Sequence, residues 1–153
     1  MLKNRLFISI LLFIFLLLID QYIKFLFVNG FELRKECISF ILTYNKGVAF
    51  SMFAFLEGNL KYIQITILTI GLIYLIFNKH IFNNYYIAIS FLLAGGISNI
   101  FDRFIHEGVV DYIYWHCGFD FAIFNLADIF INISVALILY ISWKNEKKLT
   151  KKV

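Results

Sequence analysis

The chain has 153 residues, of which 61% are hydrophobic and only 16% are charged, and it contains no proline. Its mean hydropathy of +0.82 is far too high for a water-soluble domain of this size, so the composition excludes an ordinary soluble fold and indicates a membrane protein. The net charge of +4 comes without a patterned basic surface, and we therefore expect no nucleic-acid partner.

Four apolar segments approach the length of about 20 residues that a helix needs to cross a bilayer. They lie at residues 6–28, 62–77, 85–104 and 124–143. The first segment follows Lys3 and Arg5 as in a secretory signal, but no small-residue cleavage site comes after it, which indicates a retained anchor. The sequence therefore predicts an all-α membrane protein with four transmembrane helices and a single domain over residues 1–153.

The basic residues predict how these helices are oriented, because lysine and arginine near the ends of spans are retained on the cytoplasmic side. Lys3 and Arg5 precede the first segment, Lys79 lies between the second and third, and a lysine-rich tail follows the fourth. Both termini are thus predicted to be cytoplasmic. The tail is expected to contact anionic lipids.

Nearly all of the non-helical chain lies in two loops on the predicted outer side. The first, at about residues 29–61, contains CISFILTYNKGVAFSMF, in which β-branched and aromatic residues flank a Lys46-Gly47 turn, so we expect short strands there. Asn45 suits either a turn or a substrate contact. The second, at about residues 105–123, holds HEGVVDYIYWHCGFDF, whose Tyr and Trp suit a membrane interface. A small β-containing extracytoplasmic region is the expectation.

Metal-dependent and serine-dependent chemistries find little support in the sequence. His80, His106 and His116 form neither HExxH nor a paired zinc spacing, so we expect no metal. No G-x-S-x-G or Ser-Lys arrangement is present, and no glycine-rich loop could bind phosphate. Cys37 and Cys117 both fall in the outer loops, where a disulfide is permitted, and a bridge and two unrelated thiols remain alternatives.

Three acidic residues fall in the outer halves of the predicted helices, although a carboxylate costs about 2.5 to 3.5 kcal/mol at a helix centre and less near the interface. They are Asp20, Asp102 and Asp128. Asp20 and Lys24 stand four residues apart with the acid first, which predicts an ion pair within the helix. Asp102 with Arg103 suggests a second structural pair. Separate parts of the chain thus bring carboxylates to one depth.

Asp111 and Asp128 differ from the other acids because neither has an adjacent basic residue. Two carboxylates brought close together cannot both ionise cheaply, so one keeps a proton while the other stays charged. Such a pair can take a proton from water and give one to a leaving group, which is the chemistry of peptide hydrolysis without metal. A proton or ion carrier and a purely structural subunit are the alternatives, although a relay would place acids at successive depths.

Polar and small residues accompany these acids. Asn99 and Arg103 share one helix face, as do Asn125 and Asp128. The glycine pair at residues 95–96 lies one turn before Asn99, where small residues let another helix approach closely. This spacing directs the polar side chains toward partners on neighbouring elements.

Four blocks carry a resemblance to a known family: DQYIKF, YNKGVAFSMF, GGISNIFDRFIHEGVVDYI and FNLADIFIN. In order and spacing they resemble the bacterial lipoprotein signal peptidases, also called prolipoprotein signal peptidase or signal peptidase II. Members are four-span inner-membrane aspartyl peptidases that remove the signal peptide from a prolipoprotein just before its diacylglyceryl-modified cysteine. The resemblance implies the same peptidase activity for this chain, as a monomer without a cofactor. The partners that it implies are prolipoproteins and membrane lipids.

Carried over position by position, the resemblance implies that Asp111 and Asp128 are the catalytic pair. It implies contacts with the substrate for Asn45, Asn99, Arg103 and Asn125. The positions that it implies as structural support are Asp20, Lys24, Gly47, Gly96 and Asp102, and the outer-loop block also includes Ala49 and Phe50. The implied location is the bacterial cytoplasmic (inner) membrane, with several spans and the active site toward the outer leaflet.

Overall fold

A computed structural model describes residues 2–47 and 52–150 of the chain. Its helices are α1 (Leu2–Val28), α2 (Leu60–Phe77), α3 (Lys79–Ile105) and α4 (Leu126–Thr150), and its strands are β1 (Ile38–Asn45) and β2 (Val109–Trp115). A short 3-10 helix, Ala54–Asn59, leads into α2. Within the described ranges, four helices are long and apolar enough to cross a bilayer. The predicted architecture of four helices with a small β region is confirmed.

The helices run somewhat beyond the predicted segments. As expected, α1 continues through Asp20 and Lys24 to Val28. Only Asn78 separates α2 from α3, and its backbone N–H and side-chain amide both donate to the carbonyl of Tyr74, which closes a tight turn between the two helices. The last helix extends into the lysine-rich tail, because Lys and Glu are good helix formers.

Helix α3 is the centre of the bundle and packs against α1, α2 and α4. In its most apolar window 56% of the residues are buried, against 17% or less in the other three helices, whose apolar side chains face the surroundings as lipid-exposed residues do. Small residues make the close packing possible. A Cβ on Gly95 would lie 2.4 Å from the carbonyl oxygen of Ala127 in α4, whereas one on Gly96 would meet only Leu68, at 3.4 Å. Gly95 therefore permits the contact between α3 and α4.

The two strands come from different loops and pair antiparallel, with Thr43 opposite Asp111. The sequence predicted strands on either side of the Lys46-Gly47 turn, and residues 48–51 of that segment lie outside the described residues. The partner of β1 is in the second loop, for which no strand was predicted from the sequence. Pairing across 60 or more residues leaves no local pattern, which is why β2 was missed.

A disulfide joins Cys37, just before β1, to Cys117, just after β2. It answers the alternative that the sequence left open. The backbone N–H of His116 also donates to the carbonyl of Cys37, and the side chains of Ser39 and His116 are hydrogen bonded at 2.9 Å. The far end of the sheet is thus closed covalently, while its other end reaches the polar residues of the helices.

Candidate active site

The first buried polar group, which we call the ion-paired cluster, consists of Asp20, Gln21, Lys24, Ser98 and Asp102. The Lys24 Nζ lies 2.9 Å from Asp20 Oδ2 and 2.7 Å from Asp102 Oδ2, and all three side chains are at most 2% exposed. Gln21 donates to Asp102 Oδ1 at 2.8 Å, and Ser98 donates to Asp20 at 2.5 Å. One cation therefore bridges two carboxylates between α1 and α3.

The structure contains the predicted Asp20–Lys24 pair, but the predicted Asp102–Arg103 pair is wrong. Asp102 pairs with Lys24 across the helix interface. Consecutive residues of a helix point about 100° apart and do not face each other, so Arg103 is directed elsewhere. Its guanidinium donates to the carbonyl of Lys46 at 3.4 Å and to that of Gly47, while the Gly47 N–H donates to Asn45 Oδ1 at 2.9 Å. Arg103 therefore ties α3 to the turn after β1.

The second polar group, which we call the amide cluster, consists of Asn45, Asn99, Asp111, Asn125 and Asp128. Asn99, Asp111 and Asn125 are buried, and the other two are partly buried. Asp111 accepts hydrogen bonds from Asn125 Nδ2 at 2.7 Å and from Asn45 Nδ2 at 3.0 Å. Asp128 accepts one from Asn99 Nδ2 at 2.9 Å and one from the backbone N–H of Asn125 at 3.1 Å. In the described part of the chain no Lys, Arg or His forms an ion pair with either carboxylate.

The local geometry of Asn125 and Asp128 follows from their places at the start of α4. Asn125 immediately precedes the first helical residue, and its Oδ1 accepts the N–H of Asp128 at 2.9 Å, while the Asp128 carboxylate accepts the N–H of Asn125. This reciprocal pair satisfies backbone donors that a helix start leaves free. The Asn125 amide is thereby oriented toward Asp111, so one residue contacts both carboxylates.

Asp111 reaches the cluster from strand β2 and is 2% exposed. Burial raises the pKa of its carboxyl from 3.8 to about 7, and the nearby Asp128 carboxylate adds to the rise, while the hydrogen bonds from Asn45 and Asn125 oppose it. The preceding residue is held by the other cluster, because the Val110 N–H donates to Asp102 Oδ2 at 3.1 Å. The ion-paired cluster thus helps to position the strand that carries Asp111.

The amide cluster borders a cavity of about 620 Å³ between the helices and the sheet. Its polar lining comprises Asn45, Gln64, Asn99, Arg103, Asp111, Asp128 and Asn132, and its apolar lining includes Ile123, Phe124, Ile129 and Ile131. Gln64 and Asn132 were not among the residues predicted from the sequence. The signal that could have found them is a side-chain amide within an otherwise apolar span.

Most of the predicted site residues meet in these two clusters. Both proposed catalytic residues and three of the predicted contact residues form the amide cluster, and Arg103 lines the same cavity. Of the predicted support residues, Asp20, Lys24 and Asp102 form the ion-paired cluster, and Gly47 lies in the turn that Arg103 holds. Gly96 faces α2, since a Cβ added to it would meet Leu68. Ala49 and Phe50 lie outside the described residues.

Comparisons with known proteins show what the whole chain is similar to. The family model described as signal peptidase (SPase) II matches residues 12–144. The chain is 54% identical over 145 residues to the lipoprotein signal peptidase of Wolinella succinogenes, covering 95% of this chain and 99% of that protein. It is 52% identical over 130 residues to that of Sulfurimonas denitrificans, with coverages of 83% and 82%. A solved structure of a bacterial membrane enzyme superposes with a TM-score of 0.78 at 28% identity, covering 92% of this chain and 90% of that one.

Proposed function

This chain belongs to the signal peptidase II family, and we propose that Asp111 and Asp128 are the catalytic residues of its peptidase chemistry. Family membership makes the protein a peptidase of the bacterial inner membrane that cleaves signal peptides of prolipoproteins. The carrier and structural-subunit alternatives are therefore set aside. We further propose that the cut falls just before the diacylglyceryl-modified cysteine, on the outer side of the membrane.

The observation that carries the catalytic assignment is the double contact of Asn125 with the two carboxylates. It brings Asp111 and Asp128 to one amide, at the edge of a cavity, without an ion-pairing cation in the described part of the chain. The two acids therefore have to lower their mutual repulsion by sharing a proton.

Such a pair can hydrolyse a peptide bond by general acid and base catalysis. The ionised carboxylate takes a proton from water as the water oxygen attacks the scissile carbonyl carbon, and the protonated carboxyl gives its proton to the carbonyl oxygen. The resulting diol then returns a hydroxyl proton to one carboxylate while the other donates a proton to the leaving nitrogen. The C–N bond breaks, and the pair again holds one proton.

The surrounding residues support the orientation of the two carboxylates and the outer location of the site. Asn45, Asn99 and Asn125 orient the carboxylates through the hydrogen bonds described above, and Arg103 anchors the turn after β1 at the cavity rim. The Cys37–Cys117 disulfide supports an outer location for the sheet, because disulfides persist in oxidising compartments. The basic residues that flank the spans support the same orientation.

The test is cleavage of a diacylglyceryl-modified precursor beside its unlipidated form. Asp111→Asn and Asp128→Asn are each expected to reduce the cleavage rate by roughly 10²- to 10⁴-fold, the usual range for loss of a general acid or base. Asp120→Asn is the matched control, since Asp120 is exposed and its carboxylate accepts a hydrogen bond from the Tyr114 hydroxyl, away from both clusters in the second loop. Wild-type cleavage by both Asp variants would overturn the assignment, and equal cleavage of both precursors would overturn the lipid requirement.

A further inference from the structure

Two side-chain amides lie inside apolar helices and are not used by either polar cluster. Gln64 stands in the α2 stretch LKYIQITILTI, four residues after the helix begins at Leu60. Asn132 stands in α4, six residues after Leu126. At a rise of 1.5 Å per residue these positions are about 6 and 9 Å along their helices. An amide at such a depth is costly unless it finds a hydrogen-bond partner.

Gln64 has an unmet acceptor. Its Oε1 is buried from solvent, and among the described residues it accepts no hydrogen bond. The same side chain lines the 620 Å³ cavity at which Asp111 and Asp128 lie. A buried polar atom in a native protein is nearly always paired, so an unpaired acceptor at a cavity points to a donor that arrives with a ligand.

Asn132 lines the same cavity from another helix. It follows Asp128 by four residues, which places it on the same face of α4, about 6 Å further along the helix. Its side chain is exposed, and no hydrogen bond from it is found within residues 2–47 and 52–150. Because α2 and α4 both pack against α3, Gln64 and Asn132 flank the α3 residues of the site.

The chemistry of the missing partner favours a peptide over a lipid. An ester-linked acyl chain has no N–H or O–H to donate to Gln64 Oε1, whereas an extended peptide backbone presents both a donor and an acceptor in every unit. A signal helix that unwinds to expose one bond leaves such backbone groups unpaired within the membrane, where they are costly. An amide side chain carries the same donor and acceptor as a peptide unit.

We propose that Gln64 and Asn132 form a backbone-binding subsite for the unwound peptide segment that precedes the scissile bond. This inference rests on the proposed function, because it takes the cavity to be the place where the precursor binds. The two side chains are positioning residues: they replace hydrogen bonds that the substrate helix loses and take no part in proton transfer. Because they contact the backbone, they bind without regard to the substrate side chains.

The test pairs side-chain variants with substrates altered in the backbone. Lipidated peptides are prepared in which one amide at a time, before the scissile bond, is replaced by an ester, which removes a single N–H. Their affinities for the full-length protein are measured by competition for photo-crosslinking to a labelled lipidated peptide, in an Asp111→Asn background that prevents cleavage. Gln64→Leu and Asn132→Leu are compared with Thr66→Val, a control on α2 whose hydroxyl bonds within its own helix to Tyr62.

Gln64→Leu is expected to weaken binding of the all-amide peptide by about three- to tenfold, as for loss of one hydrogen bond. One of the ester peptides is expected to bind the protein with intact Gln64 less tightly than the all-amide peptide, by a similar factor. Gln64→Leu should not weaken the binding of that ester peptide further, since the hydrogen bond is already absent. Asn132→Leu should pair with a different ester position, and Thr66→Val with none.

Two results would overturn the inference. If Gln64→Leu weakens every peptide by the same factor, its role is structural, and if it changes no affinity, it does not contact the peptide. Failure of the proposed function has a different signature. The lipidated peptide would then show no saturable binding to the parent protein, or the Asp111 and Asp128 variants would cleave at the wild-type rate.

Discussion

The ion-paired cluster and the amide cluster meet at α3, where Ser98 of the first and Asn99 of the second are neighbours, yet their carboxylates have opposite surroundings. In the first, Lys24 bridges Asp20 and Asp102 at 2.9 and 2.7 Å. In the second, the hydrogen bonds to Asp111 and Asp128 within the described part of the chain come from side-chain amides and a backbone N–H. A nearby cation keeps a carboxylate charged and fixed in place, whereas neutral donors leave it able to exchange a proton.

Asn99 connects the two clusters. Its Oδ1 accepts from Lys24 at 2.9 Å, and its Nδ2 donates to Asp128 at 2.9 Å. The direction of the Asn99 amide is therefore set by the ammonium group, which can only donate. The charged cluster thus orients a donor of the uncharged one, which gives the ion pairs a role in the site without chemistry of their own.

Removal of the cation from the ion-paired cluster is expected to have the largest effect, and that effect is on stability. Lys24→Met would leave two buried carboxylates without their cation and is expected to lower the free energy of unfolding by about 3–5 kcal/mol. The matching neutralisation in the other cluster, Asp111→Asn, removes no ion pair and is expected to change it by less than about 1 kcal/mol. Denaturant unfolding in micelles would measure both.

A triple variant sharpens the same prediction. Adding Asp20→Asn and Asp102→Asn to Lys24→Met removes all three charges, so most of the lost stability is expected to return. If the triple variant is as unstable as Lys24→Met alone, the packing of the lysine side chain, rather than its charge, is what stabilises this cluster.

The next effect separates the helix contacts on which the clusters depend. Gly95→Ala would place a methyl group 2.4 Å from the Ala127 carbonyl oxygen, so α3 and α4 would have to move apart, at a cost of about 1–3 kcal/mol. Cleavage should fall as well, because Ala127 lies between Asn125 and Asp128. Gly96→Ala is the matched control, and it is expected to be neutral or slightly stabilising because its methyl would meet Leu68 at 3.4 Å and Ala favours a helix. Equal unfolding energies for the two variants would contradict this.

The smallest effect concerns pH. Because the pKa of Asp111 is raised from 3.8 to about 7, the folded protein binds more protons than the unfolded chain between these values. The contribution of this group to stability therefore falls as the pH rises from about 4 to about 7 and is constant above that range. Cleavage, which needs one proton on the pair, is expected to decline above about pH 7.

Removal of one amide donor should shift that decline. The Asn45 hydrogen bond favours the charged form of Asp111, so Asn45→Leu is expected to raise the pKa of Asp111 and to move the alkaline limb of kcat/KM upward, by less than about one pH unit. Thr43→Val, at the position opposite Asp111 in the sheet, should leave the limb in place. A limb that stays fixed or moves downward in Asn45→Leu would show that another group controls it.

The features that could be predicted from the sequence are those that depend on residues close together in the chain. Hydropathy was enough for the four helices, because each crosses the bilayer with its own backbone hydrogen bonds. The four-residue spacing of Asp20 and Lys24 was enough for their ion pair, since such residues are neighbours on any helix. The order of the conserved-looking blocks was enough for the family.

The contacts between residues far apart in the chain became visible in the tertiary structure alone. It paired Lys24 with Asp102 instead of leaving Asp102 to Arg103, and it brought β1 to β2 and Cys37 to Cys117. The physical reason is the same in each case. These contacts depend on how whole helices and loops pack, and no local spacing records that arrangement.

The cavity likewise has lining residues that the sequence predicted and others that it did not. Its catalytic candidates were visible as acids without adjacent bases, but the part of Gln64 in its lining was not. A glutamine in an apolar helix acquires significance only when packing against α3 buries its oxygen beside a space that a substrate can fill. The burial of a side chain and the presence of a cavity beside it are properties of the assembled bundle, because both depend on how all the neighbouring elements pack.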